Sequence, residues 1–203
     1  IRARGDLRRG VGEGDVCAEG QQIAHEGRVI AKVEHDGVQA PQFRGERIVS
    51  PALHDGQPVW SIGRALRCRP DAPKYLGLPG RKPLLGWDEA RHEHEVYVVE
   101  GPFDWLTLRQ WGLSAVALLG THAPPEALRA LARFERAYLV LDNDAAGRAA
   151  TEKLLAALGC RAVAVALHDV KDVADWARLP DGRARFLDMV AASGSVTRCG
   201  RGP

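Results

Sequence analysis

Acidic side chains follow two apolar runs of this sequence, at the point where each run ends. Glu100 comes directly after residues 96–99, and Asp142 and Asp144 follow residues 138–141. Such runs are typical of buried strands in a parallel sheet, whose carboxyl ends carry the sites of α/β proteins. Carboxylates gathered at one edge repel one another unless a cation lies between them, and Mg2+ prefers oxygen ligands of this kind. The pattern therefore predicts a divalent-metal site.

Some of the acids in this region, taken singly, also have a purely structural interpretation, and for Glu100 it is a solvated strand end. Asp144 precedes a helical pattern and is suited to cap its N-terminus. Asp104 is suited to the first turn of another helix, where the helix dipole favours a negative charge. Asp142 and Asp144 are two residues apart, and in an extended segment both side chains would lie on one face. Their combination with Glu100 favours metal binding over the separate structural roles.

The second half of the chain alternates between strand and helix patterns. We expect strands at 96–100, 115–119, 137–142 and 161–167, and helices at about 103–111, 125–134, 145–158, 171–179 and 183–193. Alternation of this kind predicts an α/β fold, in which a parallel sheet has helices packed on its faces.

The first half of the chain has a β-like pattern. Short apolar runs at 29–33, 47–49 and 58–62 are separated by Asp36-Gly37 and Asp55-Gly56, and Asp-Gly between strands is typical of a tight hairpin turn. The next stretch, residues 67–90, is rich in proline and glycine, and we expect it to be irregular.

These patterns together divide the chain into three parts. We predict a smaller β-rich, basic amino-terminal subdomain at 1–90, with residues 1–20 as a loop. An α/β domain follows at 91–180, and a short helix with a flexible tail occupies 181–203.

Composition narrows the class of protein. The chain has 203 residues and a net charge of +2, so its overall charge does not by itself indicate nucleic-acid binding. Arginine, which is suited to phosphate contacts, far outnumbers lysine, although coding bias explains this equally well. The four cysteines form no Cys-x-x-Cys pair, so we expect no zinc in this chain. The sequence contains no membrane-spanning stretch or signal peptide, and we expect a cytoplasmic protein that is a piece of a longer one.

Three acidic and glycine-bearing motifs resemble the Toprim domain, which bacterial primases and topoisomerases share. They are Glu100-Gly101-Pro102-Phe103-Asp104, Leu118-Leu119-Gly120-Thr121 and Asp142-Asn143-Asp144-Ala145-Ala146-Gly147. The forms Glu-Gly-Pro-Phe-Asp and Asp-Asn-Asp-x-Ala-Gly are similar to those of DnaG-type primases. Segments 47–51, 62–66 and 73–76 resemble the basic amino-terminal part of the primase catalytic core. The resemblance spans residues 45–178.

The resemblance implies a metal-dependent enzyme that makes short RNA primers on single-stranded DNA from ribonucleotides during replication. Glu100, Asp142 and Asp144 would be catalytic and bind Mg2+ or Mn2+, and Asp172 would match a further acidic metal position. A replicative helicase would be a partner through parts outside this chain, and no membrane is involved.

The same resemblance implies a nucleic-acid and nucleotide groove lined by basic and aromatic side chains. Arg64, Lys74 and Tyr75 would line it, since cationic side chains address phosphates and an aromatic ring stacks on a base. We include Lys82 with them as a further basic residue.

The chain also departs from the primase pattern. The third motif usually has a second acid where this chain has Ala174, and Asp175 is offset by one. No zinc module or closing helical subdomain is recognised, which favours a phage or mobile-element primase, or a fragment. Two alternatives stay open. One is phosphoryl transfer on DNA by a Toprim nuclease or topoisomerase, and the other is a non-catalytic accessory module that binds single-stranded DNA.

Overall fold

The computed structural model of the protein describes residues 47–67, 70, 72–168 and 170–196. The chain separates into two compact units. Of the described residues, 47–49 and those of Gly63–Leu76 form one unit, and those of Ser50–Ile62 together with 77–196 form the other. The domain boundary expected near residue 90 stays a prediction, and the strand expected at 29–33 lies outside the described residues. Among the described helices, none is both long enough and apolar enough to cross a bilayer.

The first sheet has three strands in the order β1-β2-β3. The strands are β1 (Arg47–His54), β2 (Gln57–Ala65) and β3 (Tyr75–Gly77). Asp55 and Gly56 form the turn between β1 and β2 with φ angles of 51° and 74°. Both angles lie in the left-handed region that a tight hairpin turn requires, and Asp and Gly tolerate it well. The hairpin predicted from Asp55-Gly56 is therefore present.

The proline-rich stretch contains more regular structure than its composition indicates. It includes β3 and a short helix, α1 (Trp87–Ala90), so the expectation of an irregular segment is wrong in part. The amide of Ala65 donates to the carbonyl of Lys74 at 2.8 Å, and the amide of Leu78 donates to Ser61 at 3.0 Å. A short edge strand needs few ladder bonds, and here the prolines flank it rather than interrupt it.

A buried arginine fixes the chain just before β3. Arg47 is 2% exposed, and its guanidinium donates to the carbonyls of Gly63 at 3.3 Å, Pro73 at 3.0 Å and Lys74 at 3.2 Å. A buried cation is tolerated only where hydrogen bonds replace its hydration. Arg47 therefore positions the backbone that carries Lys74 and Tyr75, which the family resemblance predicts to bind nucleic acid.

The second sheet has four parallel strands in the order β5-β4-β6-β7. Its elements alternate along the chain as the sequence predicts: β4 (Glu95–Val99), α2 (Pro102–Gln110), β5 (Ala115–Ala117), α3 (Pro125–Leu131), β6 (Arg136–Leu139), α4 (Ala145–Leu158), β7 (Ala162–Ala164), α5 (Val173–Trp176) and α6 (Gly182–Val196). A 3₁₀ turn at Gly159–Arg161 precedes β7. The α/β fold class is confirmed, although the strands are shorter than expected.

The helix α6 extends beyond the position at which the sequence predicts the ordered chain to end. It runs to Val196, three residues beyond the helix predicted at 183–193. The rest of the tail expected to be flexible, residues 197–203, lies outside the described residues.

Alternate residues of the parallel strands pack against different helices. Val96 and Val98 belong to a core cluster that includes residues of α1, α3 and α4. Tyr97, between them in sequence, stacks on Tyr138 at 4.9 Å and contacts the ring of Phe186 in α6 at 5.9 Å. Since successive side chains of a strand point to opposite faces, helices cover both faces of the sheet. Both faces are thus closed, and the carboxyl edge is the place left for a site.

We predict that Arg47→Met lowers the free energy of unfolding by about 3 kcal/mol, because it leaves three carbonyl groups without their charged donor. Urea denaturation followed by circular dichroism measures the loss. Arg67→Met is the matched control, since Arg67 is exposed and its replacement should change stability by less than about 0.5 kcal/mol. Equal effects of the two substitutions would contradict a positioning role for Arg47.

Candidate metal centre

Two of the predicted acids meet at the carboxyl edge of the parallel sheet. Glu100 directly follows β4, and Asp142 lies in the loop that follows the neighbouring strand β6. The Glu100 Oε1 atom accepts a hydrogen bond from the backbone amide of Asp142 at 3.2 Å. This bond holds the Glu100 carboxylate over the loop that carries Asp142 and Asp144, so the structure brings the three acids of the sequence prediction to one edge.

Gly147 provides the space for this arrangement. A Cβ atom added at Gly147 would overlap the carbonyl oxygen of Asp142 and lie 2.8 Å from the Oε1 atom of Glu100. Atoms in those positions would have to move, because real Cβ contacts are not so short. The glycine therefore lets the first turn of α4 approach the loop closely enough for Glu100 to reach across. The sequence motif contains this residue, but its spacing alone does not reveal the role.

Asp144 and Asp172 both cap helices. The Oδ1 atom of Asp144 accepts the amide of Gly147 at 2.9 Å at the start of α4, and the Oδ1 atom of Asp172 accepts the amide of Asp175 at 2.9 Å at the start of α5. The capping interpretation of Asp144 is therefore confirmed. A cap uses one carboxylate oxygen and fixes the side chain, so it is compatible with a second role for the other oxygen.

The electrostatics of this edge show the repulsion expected among gathered acids. Burial raises the pKa of Glu100, and the charges of Asp142 and Asp144 raise it further. Burial likewise raises the pKa of Asp142, and the charge of Asp172 adds to the effect. Ionised acids in these positions would be stabilised by a nearby cation.

The donor set suits Mg2+ in chemistry, although the described side chains are not gathered into a closed cage. Among the described residues, no group of three His, Cys, Asp or Glu side chains is already arranged to hold a metal ion. Mg2+ keeps several waters and needs only one or two direct carboxylates, and all the acids at this edge supply oxygen. Glu100 and Asp142, as half-buried neighbours, are the residues best placed to hold it, and Asp144 and Asp172 lie in the adjoining loops.

Asp104 has a structural role that the sequence shows only in outline. It is 7% exposed, and its Oδ1 atom accepts the amide of Ala174 in α5 at 2.9 Å. Burial, with a further contribution from the charge of Asp172, raises the pKa of Asp104 to about 7. Asp104 therefore joins the segment after β4 to the segment after β7. The amide of Ala174, where primases usually have a second acid, is used in that link.

Asp175, the offset acid of the third motif, is also committed to local contacts. Its Oδ2 atom accepts the amide of Lys171 at 3.3 Å, and its Oδ1 atom pairs with Arg178 at 2.7 Å. Lys171 lies outside the sequence motifs, and nothing in its local sequence indicates a role at this edge. Its Nζ atom lies 4.0 Å from the Oδ2 atom of Asp142.

The predicted nucleic-acid residues fall into two places. In the unit that contains Gly63–Leu76, Arg64 donates to the hydroxyl of Tyr75 at 3.3 Å, and the Arg64 guanidinium and the Lys74 ammonium lie 5.6 Å and 5.9 Å from the Tyr75 ring centroid. Lys82 belongs to the other unit, where its Nζ atom donates to the carbonyl of Leu119 at 3.2 Å. The structure thus brings Arg64, Lys74 and Tyr75 together and holds Lys82 beyond the end of β5.

We predict that Asp104→Asn flattens the pH dependence of stability. The folded-state pKa of about 7 exceeds the ordinary value of 3.8, so ionising Asp104 favours the unfolded chain. The wild-type protein should lose about 4 kcal/mol through this group as pH rises from 4 to 7, and Asp104→Asn should not.

Urea denaturation at several pH values, with EDTA present to exclude metal effects, measures this difference. Asp181→Asn, at an exposed position, is the control and should keep the wild-type slope. Parallel pH profiles for the wild type and Asp104→Asn would contradict the elevated pKa.

Comparison with known proteins agrees with the motifs and the fold. Residues 97–179 match the family described as Toprim-like. The chain is 33% identical over 164 residues to a DNA primase of Myxococcus xanthus and 32% identical over 165 residues to one of Synechococcus elongatus. The alignments cover 72% and 75% of this chain but 27% and 22% of those proteins, so the chain spans about a quarter of their length.

Solved primase structures have the same architecture. The RNA polymerase domain of Mycobacterium tuberculosis primase DnaG is 29% identical with a TM-score of 0.62, and the match covers 72% of this chain and 55% of that one. A DnaG primase catalytic domain bound to single-stranded DNA is 26% identical with a TM-score of 0.61, over 72% of this chain and 51% of that one. Together with the parallel sheet and its acidic edge, these matches show that the chain carries a Toprim core of the DnaG primase type.

Proposed function

We propose that the chain is the nucleotidyl-transfer core of a DNA primase, which synthesises short RNA primers on single-stranded DNA with Mg2+ or Mn2+. The observation that carries the proposal is the hydrogen bond from the Asp142 amide to Glu100, which places two half-buried acids at neighbouring ends of parallel strands. Raised pKa values of both acids support a cation there. Similarity to primases over most of the chain supports the substrate class.

In this proposal the protein's own residues hold and orient the cation. Glu100 and Asp142 would hold it, and Asp144 and Asp172, each fixed by a capping hydrogen bond, would add negative charge from the adjoining loops. A divalent ion at such a site stabilises negative charge on phosphate and the attacking oxygen in phosphoryl transfer. Gly147 keeps the first turn of α4 from displacing Glu100.

The basic residues supply contacts to the template and to the nucleotide. In this proposal Arg64 and Lys74 bind phosphates, and Tyr75 stacks on a base. The two cations lie near the Tyr75 ring, so they can reach the phosphate next to a stacked base, and Tyr75 is partly exposed. Lys82, tied to the carbonyl beyond β5, binds a phosphate in the unit that carries the acids. The DnaG domain solved with single-stranded DNA supports this class of ligand.

We predict that Glu100→Gln and Asp142→Asn each reduce primer synthesis by at least a hundredfold while the fold is retained, because a neutral side chain no longer holds the divalent ion. The assay uses the 203-residue chain, single-stranded DNA, ribonucleotides and either Mg2+ or Mn2+. Glu152→Gln and Asp181→Asn are matched controls, since both acids are exposed and outside the edge, and both variants should keep wild-type activity.

The outcomes of this assay distinguish the alternatives. Metal-dependent cleavage of DNA without incorporation of nucleotides would favour a Toprim nuclease. Binding of single-stranded DNA that is unchanged by EDTA, with no synthesis, would favour an accessory module. Full synthesis by both Glu100→Gln and Asp142→Asn would refute the proposed metal centre.

We also predict that Mn2+ affinity declines as the pH is lowered, and that this decline occurs at a higher pH than it would for carboxylates with ordinary pKa values. Protons compete with the metal for Glu100 and Asp142, and the pKa values of both are raised. The midpoint of the decline should therefore lie above about 4, the ordinary carboxyl value. Calorimetric titration with Mn2+ between pH 4 and 8 measures it, and a midpoint at or below the ordinary value would contradict the electrostatics of the edge.

A further inference from the structure

Lys171 is held at the acidic edge by its backbone. Its carbonyl accepts the amide of Asn143 at 2.8 Å, and its own amide donates to the Oδ2 atom of Asp175 at 3.3 Å. Asp175 is in turn fixed by Arg178, whose Nη1 atom lies 2.7 Å from Oδ1. The loop before α5 is thus tied to the loop after β6, and this tie does not depend on the Lys171 side chain.

The side chain, by contrast, is held loosely. The Nζ atom lies 4.0 Å from the Oδ2 atom of Asp142, at the outer limit of an ion pair, and the lysine side chain is 65% exposed where that of Asp142 is 22% exposed. Ion pairs of this kind contribute little to stability. The Lys171 charge nevertheless acts on the edge, since it offsets part of the rise in the pKa values of Glu100 and Asp142 that burial and the neighbouring acids cause.

A divalent cation bound by Asp142 would repel the ammonium group from its position. Two cations within a few ångströms of the same oxygen are unfavourable, and the flexible four-carbon stem of lysine allows the head group to move. A substrate with several phosphate charges is repelled by the acids of this edge. The ammonium group of Lys171, once it leaves Asp142, would attract those phosphates.

We propose that Lys171 is a nucleotide-binding residue, which rests against Asp142 in the metal-free protein and binds the polyphosphate of the incoming nucleotide when a divalent ion occupies the edge. This inference rests on the proposed function and assigns a further contact to the same site. A lysine that only stabilised the acidic loops would have a different effect: its removal would weaken metal binding and nucleotide binding together.

The test measures metal binding and nucleotide binding separately. Mn2+ binding is measured by calorimetry or by the electron paramagnetic resonance signal of the free ion, and binding of an α,β-methylene ribonucleoside triphosphate is then measured at saturating Mn2+. Lys171→Gln should leave Mn2+ affinity unchanged or make it a few-fold tighter, while it weakens triphosphate binding about tenfold. Lys171→Arg should restore triphosphate affinity to within about threefold, because the positive charge is retained.

Lys153→Gln, at an exposed position of α4, is the matched control and should change neither affinity. Weaker Mn2+ binding by Lys171→Gln, or unchanged triphosphate binding, would overturn the role of Lys171 and leave the proposed metal centre standing. Absence of Mn2+ binding in the wild-type protein would overturn both. A thermal unfolding midpoint within a few degrees of the wild type shows that the variants are folded.

Discussion

The structure of this Toprim core depends on keeping several acids together at one edge of a parallel sheet. Burial and the charges of neighbouring acids both raise the pKa values of Glu100 and Asp142, so the ionised forms are unfavourable there. A backbone amide partly compensates by donating to Glu100, and Gly147 leaves the space that this contact needs. The arrangement costs stability in the free protein, and the cation proposed at this edge would offset that cost.

The loops that carry the acids are cross-linked to one another by hydrogen bonds. Asp104, in α2, accepts an amide of α5, and the amide of Asn143, after β6, donates to the carbonyl of Lys171, after β7. Segments that follow three different strands are therefore tied into one edge. The strands themselves are only three to five residues long, and the acids at their ends would lose little freedom on binding the proposed metal ion because these bonds already hold their loops in place.

The sequence predicts the elements of this fold better than its contacts. The alternation of strand and helix, the Asp55-Gly56 turn and the helix 145–158 follow from local preferences, and each is present. Local preferences do not predict the strand β3, because its pairing with β2 is non-local and its composition is that of a loop. The roles of Arg47 and Gly147 cannot be predicted from the sequence either, because the burial of a cation and the close approach of two backbone segments depend on the folded structure.

In the candidate site, too, some features can be predicted from the local sequence and others depend on contacts between distant residues. Glu100 and Asp142 follow from their positions after apolar runs, whereas the commitment of Asp175 to Lys171 and Arg178 needs three-dimensional contacts. A crystal structure of the protein soaked in Mn2+, with the ion located by anomalous scattering, would test the metal centre most directly. We expect Mn2+ to be bound by carboxylate oxygens of Glu100 and Asp142. Mn2+ located only elsewhere, with these two acids unliganded, would contradict it.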